Sequence, residues 1–264
     1  MDPQIYAFEH HDVAGAIIRV LEDEELSLNE FLTKDRQSED VEDYAFAYTA
    51  CYLNHRGRHI LIDAGFDPDT VPGALESLGV AAEDIEFVLL THADRDHVAG
   101  LLMQGGGLTY PTAEHVIGQM LWENLSRPET LDALPEDRAP FFRRLVSAFD
   151  DTIRRCADGE TVADGIRFLL HHGHRVGHAV YEITAAGASI VHTGDAFFHR
   201  VFAEHPNWAN PTDSLPAEAV ESRSRLVPML ADTGALVLST HLPFPGMGFI
   251  RRETNGYHWE PFSL

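Results

Sequence analysis

The sequence predicts an α/β fold, in a single domain over residues 1–264, on three observations. Short runs of branched and aromatic apolar residues recur along the chain: "RHILIDAGF", "FVLLTH", "IRFLLHH", "ASIVHTGD" and "GALVLSTH". Runs of that length, stopped by Gly, Asp or His, read as buried strands. Segments with apolar residues at helical spacing lie between them. No linker, repeat or low-complexity stretch divides the chain.

Taken in order, "AGAIIRVL" and "YAFAYTACYL" are β-rich. The charge-dense "KDRQSEDVED" between them, residues 34–43, reads as an exposed loop or flap, a candidate lid. "DTVPGALESLG" is a helix ended by Gly79. "APFFRRLVSAFDDTIRRC" puts Phe142, Leu145, Val146, Phe149 and Ile153 on one helical face. "PAEAVESRSRLVPMLADTG" starts on Pro216 and ends on Gly234, and Pro228 inside it predicts a kink or break.

Composition excludes several functions. Forty-two acidic residues against nineteen basic ones give a net charge of -23, which repels nucleic acid and anionic membranes. Cys51 and Cys156 sit in apolar patterns without CxxC spacing, so they read as buried free thiols. No secretory leader and no run of ~18 apolar residues is present, so a cytoplasmic protein is expected. A Gly-x-Ser-x-Gly elbow is absent, and Gly105, Gly106 and Gly107 lack the Lys-Ser/Thr of a phosphate loop.

Four of the apolar runs end in His or Asp: at His92, His174, Asp195 and His241. Strand ends that deliver only imidazole and carboxylate to one edge of a sheet suggest convergence on a metal. "THADRDH" adds Asp94, Asp96 and His97 to His92 within a few residues. Carboxylates that close repel one another unless a cation is present. A loop of exposed polar residues with salt bridges to Arg95 is the alternative.

"THADRDH", "HHGHRVGH", "HTGDA" and "STHLPFPG" occur in the order and strand-end contexts of the metallo-β-lactamase fold. The chain resembles that family of hydrolases over roughly residues 45–264. "EHPNW" and the tail "THLPFPGMGFIRRETNGYHWEPF" are similar to the branch of methyl parathion hydrolases and quorum-quenching lactonases. The resemblance implies a four-layer αβ/βα sandwich and two divalent metal ions, zinc foremost. His92, His174 and position 94 would hold the first ion; Asp96, His97 and His241 would hold the second; Asp195 would bridge them, with a hydroxide between. It further implies cleavage of a lactone, carboxylic ester or phosphotriester, with Asp96 orienting the hydroxide and shuttling a proton. The acidic surface favours neutral or cationic small-molecule substrates. A homodimer is compatible with this reading.

Asp94 departs from the pattern, which has His there. Three readings stay open: Asp94 ligates directly, binds through water, or pairs with Arg95 or another base. As a ligand it would make two divalent ions, three aspartates and a hydroxide formally neutral together. That favours harder ions, iron or manganese, alongside zinc. The flavodiiron oxygen reductases carry Glu at the equivalent place, which keeps an iron-dependent oxidoreductase or oxygen-binding protein as the alternative function. No counterpart of their flavin domain is expected after His241. Asp63 is either a support for the cluster or a turn aspartate. His178 is a candidate hydrogen-bond partner of a ligand and His199 a candidate substrate contact.

Overall fold

The computed structural model describes residues 4–37 and 43–263. The N-terminal half supplies β1 (Ile5–His10), β2 (Val13–Arg19), β3 (Glu24–Ser27), β4 (Asp43–Phe46), β5 (Thr49–His55) and β6 (Arg58–Ile62). Then come α1 (Thr70–Ser77), β7 (Phe87–Leu89), the single turn α2 (Arg95–Val98) and β8 (Glu114–Gly118). Helices α3 (Gln119–Leu125), α4 (Pro128–Asp132) and α5 (Ala139–Phe149) precede β9 (Arg154–Cys156). The second half runs β10 (Thr161–Ala163), β11 (Ile166–Leu170), β12 (Ala179–Ala185), β13 (Ala188–His192), α6 (Arg200–Glu204) and α7 (Pro216–Thr233). It ends with β14 (Leu236–Leu238), β15 (Met247–Glu253) and β16 (Gly256–Pro261).

Two seven-stranded sheets result, ordered β1-β2-β5-β6-β7-β8-β9 and β10 through β16 in sequence. The first is parallel from β6 to β9. In the second, β13 and β14 are the parallel pair. Side-chain alternation sorts the apolar residues into layers. Ile60, Ile62, Phe87, Leu89 and Val116 face Phe168, Tyr181, Ile190, Leu236 and Leu238 across the gap between the sheets. Leu61, Val88 and Ile117 point the other way, onto Val71, Leu75, Leu121, Trp122 and Leu145 of the helices. Val191 and Val237 likewise meet Leu226, Val227 and Leu230 of α7. Helix, sheet, sheet and helix make the expected four layers, and burial on both faces explains why the central strands read as unbroken apolar runs.

Three expectations need correction. The α5 helix stops at Phe149, short of Ile153. Residues 154–156 instead form β9, which pairs with β8 and buries Cys156 between the sheets. Pro228 does not break α7, which runs from Pro216 to Thr233. The carbonyl that Pro228 cannot satisfy belongs to exposed Ser224, where water can reach it, while the buried stripe holds the helix in place. The strand ends that carry His and Asp also belong to both sheets rather than one, β7 to the first and β11, β13 and β14 to the second. Of the charged segment at 34–43, residues 38–42 lie outside the described residues.

The sheets are tied together where these strands end. The Ala179 N–H donates to the Thr91 carbonyl at 2.8 Å, and the Tyr181 hydroxyl donates to the Leu90 carbonyl at 3.0 Å. Thr49 Oγ1 donates to the Thr240 carbonyl at 3.0 Å. The separate β3–β4 pair lies over this end, with Phe46 stacked on the His241 ring at a centroid distance of 4.1 Å.

On β8, His115 is buried against Phe149, with ring centroids 4.7 Å apart and no partner for Nε2 among the described residues. Burial pushes its imidazole down to about 4. The neutral ring is therefore favoured in the fold, so this contribution is complete above the unfolded value of about 6.5 and is lost as pH falls toward 4. His115→Leu is expected to flatten the stability profile between pH 6.5 and 4, by up to about 3 kcal/mol relative to wild type. Denaturant melts of both proteins across that window check it; parallel profiles would refute it.

Candidate metal centre

Each candidate side chain arrives from a strand end whose backbone is held in the core. Asp63 follows β6 with a φ of 59°, a left-handed conformation that aspartate tolerates better than most residues. Its N–H donates to the Leu89 carbonyl at 3.0 Å. His92 follows β7, and the turn of α2 returns Asp94, Asp96 and His97 to the same edge. His174 follows β11 in a loop, Asp195 follows β13, and His241 follows β14. Gly194 permits the tight "HTGD" turn: it has a φ of 49°, and a Cβ there would lie 2.7 Å from His178 Nε2.

Four imidazoles are oriented alike. His97 Nδ1 donates to Asp63 Oδ2 at 2.7 Å, His174 Nδ1 to Asp213 Oδ1 at 3.1 Å, and His241 Nδ1 to the Ala47 carbonyl at 2.7 Å. His92 Nδ1 lies 3.0 Å from Thr91 Oγ1, whose own proton goes to Asp63 Oδ2 at 2.7 Å. These partners accept from Nδ1 of each ring and turn each Nε2 inward. Inside, the Nε2 atoms meet the carboxylates. Asp195 Oδ2 lies 3.5 Å from His92, 3.4 Å from His174 and 3.1 Å from His241, and Asp195 Oδ1 lies 3.4 Å from His97. Asp94 Oδ2 is 3.7 Å from His92 and 3.8 Å from His174. Asp96 Oδ2 is 3.3 Å from His97 and 3.4 Å from His241.

Donor atoms bound about 2.1 Å from one tetrahedral ion stand about 3.4 Å apart, so these spacings fit a metal better than most of them fit hydrogen bonds. The Nε2 atoms of His92, His97 and His174 and Oδ1 of Asp195 are buried without a hydrogen-bond partner among the described residues. Three compact groups form: His92, Asp94 and His174; Asp96, His97 and His241; and His92, His97 and Asp195. All the residues proposed from the sequence as ligands are thus brought together.

The charges depend on one another. Burial alone would raise the Asp195 carboxyl, but His241, His97 and His92 hold it well below its usual range. Burial would lower His97, yet Asp195, Asp96 and Asp63 keep it well above its ordinary value. For Asp96, burial is outweighed by His97 and His241, leaving the carboxyl at about 2.

The sequence model of the metallo-beta-lactamase superfamily matches residues 45–241. The chain belongs to this superfamily. Its fold is similar to that of the hydrolase AbOPH, at a TM-score of 0.83 and 23% identity over 98% of both chains. It is also similar to AidC, a dizinc quorum-quenching lactonase in complex with a product, at a TM-score of 0.83 and 22% identity over 100% of this chain and 99% of that one. A probable metallo-hydrolase of Mycobacterium tuberculosis is 25% identical over 155 residues, 54% of this chain and 47% of the relative. The chain thus spans about half the length of the curated relatives it matches first.

Arg175, Asp213 and Arg223 support the cluster beside the residues expected from the sequence. Arg175 directly follows His174, and this arginine is the base that meets Asp94. Arg95 instead stacks over Phe66 at 5.3 Å. Asp213 joins His174 to Arg223, whose Nη1 donates to Asp213 Oδ2 at 3.0 Å. A signal for Arg223 existed: it interrupts the apolar stripe of Ala219, Leu226, Val227 and Leu230 on α7. Asp63 accepts from the Thr91 N–H at 2.9 Å as well as from His97. His178 Nε2 accepts from the Asp195 N–H at 3.0 Å. His199 caps α6 and packs on Tyr44, outside the three groups.

Arg223 and Asp213 are each 1% exposed at the side chain. Arg223→Met leaves a buried carboxylate without its counter-ion, a loss of about 3–5 kcal/mol. Thermal or denaturant unfolding measures it, and a change under about 1 kcal/mol would show that Asp213 finds another partner.

Proposed function

We propose that the chain is a hydrolase that uses two divalent ions, zinc foremost, to open a lactone or cleave a carboxylic ester. The observation that carries this reading is the common orientation of His92, His97, His174 and His241, each held at Nδ1 with Nε2 directed at Asp195. In this assignment His92, His174 and Asp94 would hold one ion and Asp96, His97 and His241 the other, with Asp195 available to both. Bound there, the pair supplies a nucleophilic hydroxide at neutral pH and a Lewis acid for the scissile oxygen.

The residues around it divide the remaining work. Asp96 is 18% exposed at the side chain, and its carboxylate can orient the attacking hydroxide and pass the proton on to the leaving oxygen. Asp94 and Asp96 line a cavity of about 510 Å³ whose walls include Tyr48, Phe66, Leu121, Leu125 and Phe142. That apolar surface suits the acyl body of an ester or lactone and keeps bulk water from it. The name of the mycobacterial relative, a probable metallo-hydrolase, and the description of AidC as a quorum-quenching lactonase agree with this reading.

Protein purified without added metal is expected to contain zinc or manganese and to turn over members of a lactone and ester panel, with activity lost on chelation. Asp96→Asn is expected to lower kcat by about 10²–10⁴-fold. Iron content with oxygen consumption, and no hydrolysis of any panel member, would overturn the proposal in favour of an oxidoreductase.

A further inference from the structure

Asp94 stands where the superfamily motif has histidine, and a carboxylate at that position meets a specific difficulty. Aspartate is shorter than histidine, and its oxygens have no ring to fix their direction. Each of the four imidazoles is aimed by an acceptor behind it. A carboxylate needs a donor in the same role.

Arg175 supplies one. Its Nε donates to Asp94 Oδ1 at 3.0 Å, and its Nη2 lies 2.6 Å from Asp94 Oδ2. The remaining arm, Nη1, donates to the His174 carbonyl at 2.8 Å and the Thr212 carbonyl at 3.2 Å. The fork is therefore clamped to the loop that delivers His174. A planar guanidinium gripping both oxygens sets the plane of a carboxylate, which a single ammonium cannot do. The oxygen so held, Oδ2, is the one that lies 3.7 Å from His92 Nε2 and 3.8 Å from His174 Nε2.

We propose that Arg175 is a positioning residue that makes Asp94 serviceable as a metal ligand, so that Asp94 and Arg175 together replace the single histidine of the motif. The residue pair unites two of the readings open for Asp94: it pairs with a base and it faces the two histidines of the first group. Each of its three nitrogens is engaged by the protein.

The inference rests on the metal centre proposed above. The test is zinc titration in competition with a chromophoric chelator, read as the affinity of each ion, on wild type, Arg175→Met, Arg175→Lys, Asp94→His and the Asp94→His/Arg175→Met double variant. Circular dichroism confirms that each is folded. Arg175→Met is expected to weaken one ion by 10–100-fold and leave the other unchanged. Arg175→Lys, which keeps the charge and loses the fork, recovers only part of the loss. With His at position 94, removing Arg175 is expected to leave both affinities within about twofold. Unchanged or tighter binding in Arg175→Met overturns the inference, as does full recovery by lysine or an equal loss in the histidine background. A wild-type chain that takes up no zinc overturns the centre itself and this inference with it, an outcome distinct from two tight ions that ignore Arg175.

Discussion

Asp195 carries the constraint on which the site depends. It is 3% exposed, its two oxygens lie within 3.5 Å of four imidazole nitrogens, and its backbone N–H is held by His178. An ionised carboxylate in such surroundings is tolerable only if cationic charge converges on it. Its position at the end of β13, with β14 beside it and β7 across the inter-sheet gap, forces the other groups to arrive from both sheets. The inter-sheet hydrogen bonds at Thr91, Leu90 and Thr240 therefore hold two halves of one charge cluster in register.

Around that cluster, acceptors stand behind the histidines in a nearly complete ring. Asp63, Asp213, Thr91 and the Ala47 carbonyl each receive an Nδ1 proton. Asp213 is in turn neutralised by buried Arg223, and Asp94 by Arg175. The chain has a net charge of -23, and two of its arginines, Arg175 and Arg223, stand where buried or partly buried carboxylates need them. Precise orientation of ligand side chains is the established route from a set of compatible residues to a usable metal site. Phe46 and Tyr48 close the remaining side against His241, joining the small β3–β4 pair to the same edge.

Much of this was legible in the chain. Strands buried on both faces leave long apolar runs, so the central strands and the α/β class could be read directly. Ligand-bearing strand ends were legible because His and Asp interrupt those runs abruptly. Local pattern failed where tertiary gain outweighed it: at residues 154–156, where a ladder with β8 replaced helix, and at Pro228, where packing carried α7 through. The supports behind the ligands were harder to see. Asp63 and Asp213 are single aspartates in turn contexts, and Arg175 is one arginine beside a histidine.

By itself, then, the sequence determined the residue types, their order and the strand ends that carry them, because these follow from burial and from period. Only the tertiary structure decided which sheet each end belongs to, which acceptor stands behind each imidazole, and that Asp94 meets Arg175 rather than Arg95. Those pairings join residues tens of positions apart in the chain, 81 between Asp94 and Arg175 and 34 between Asp63 and His97, and no local propensity encodes such contacts. Packing of two sheets against each other brings them within hydrogen-bond distance.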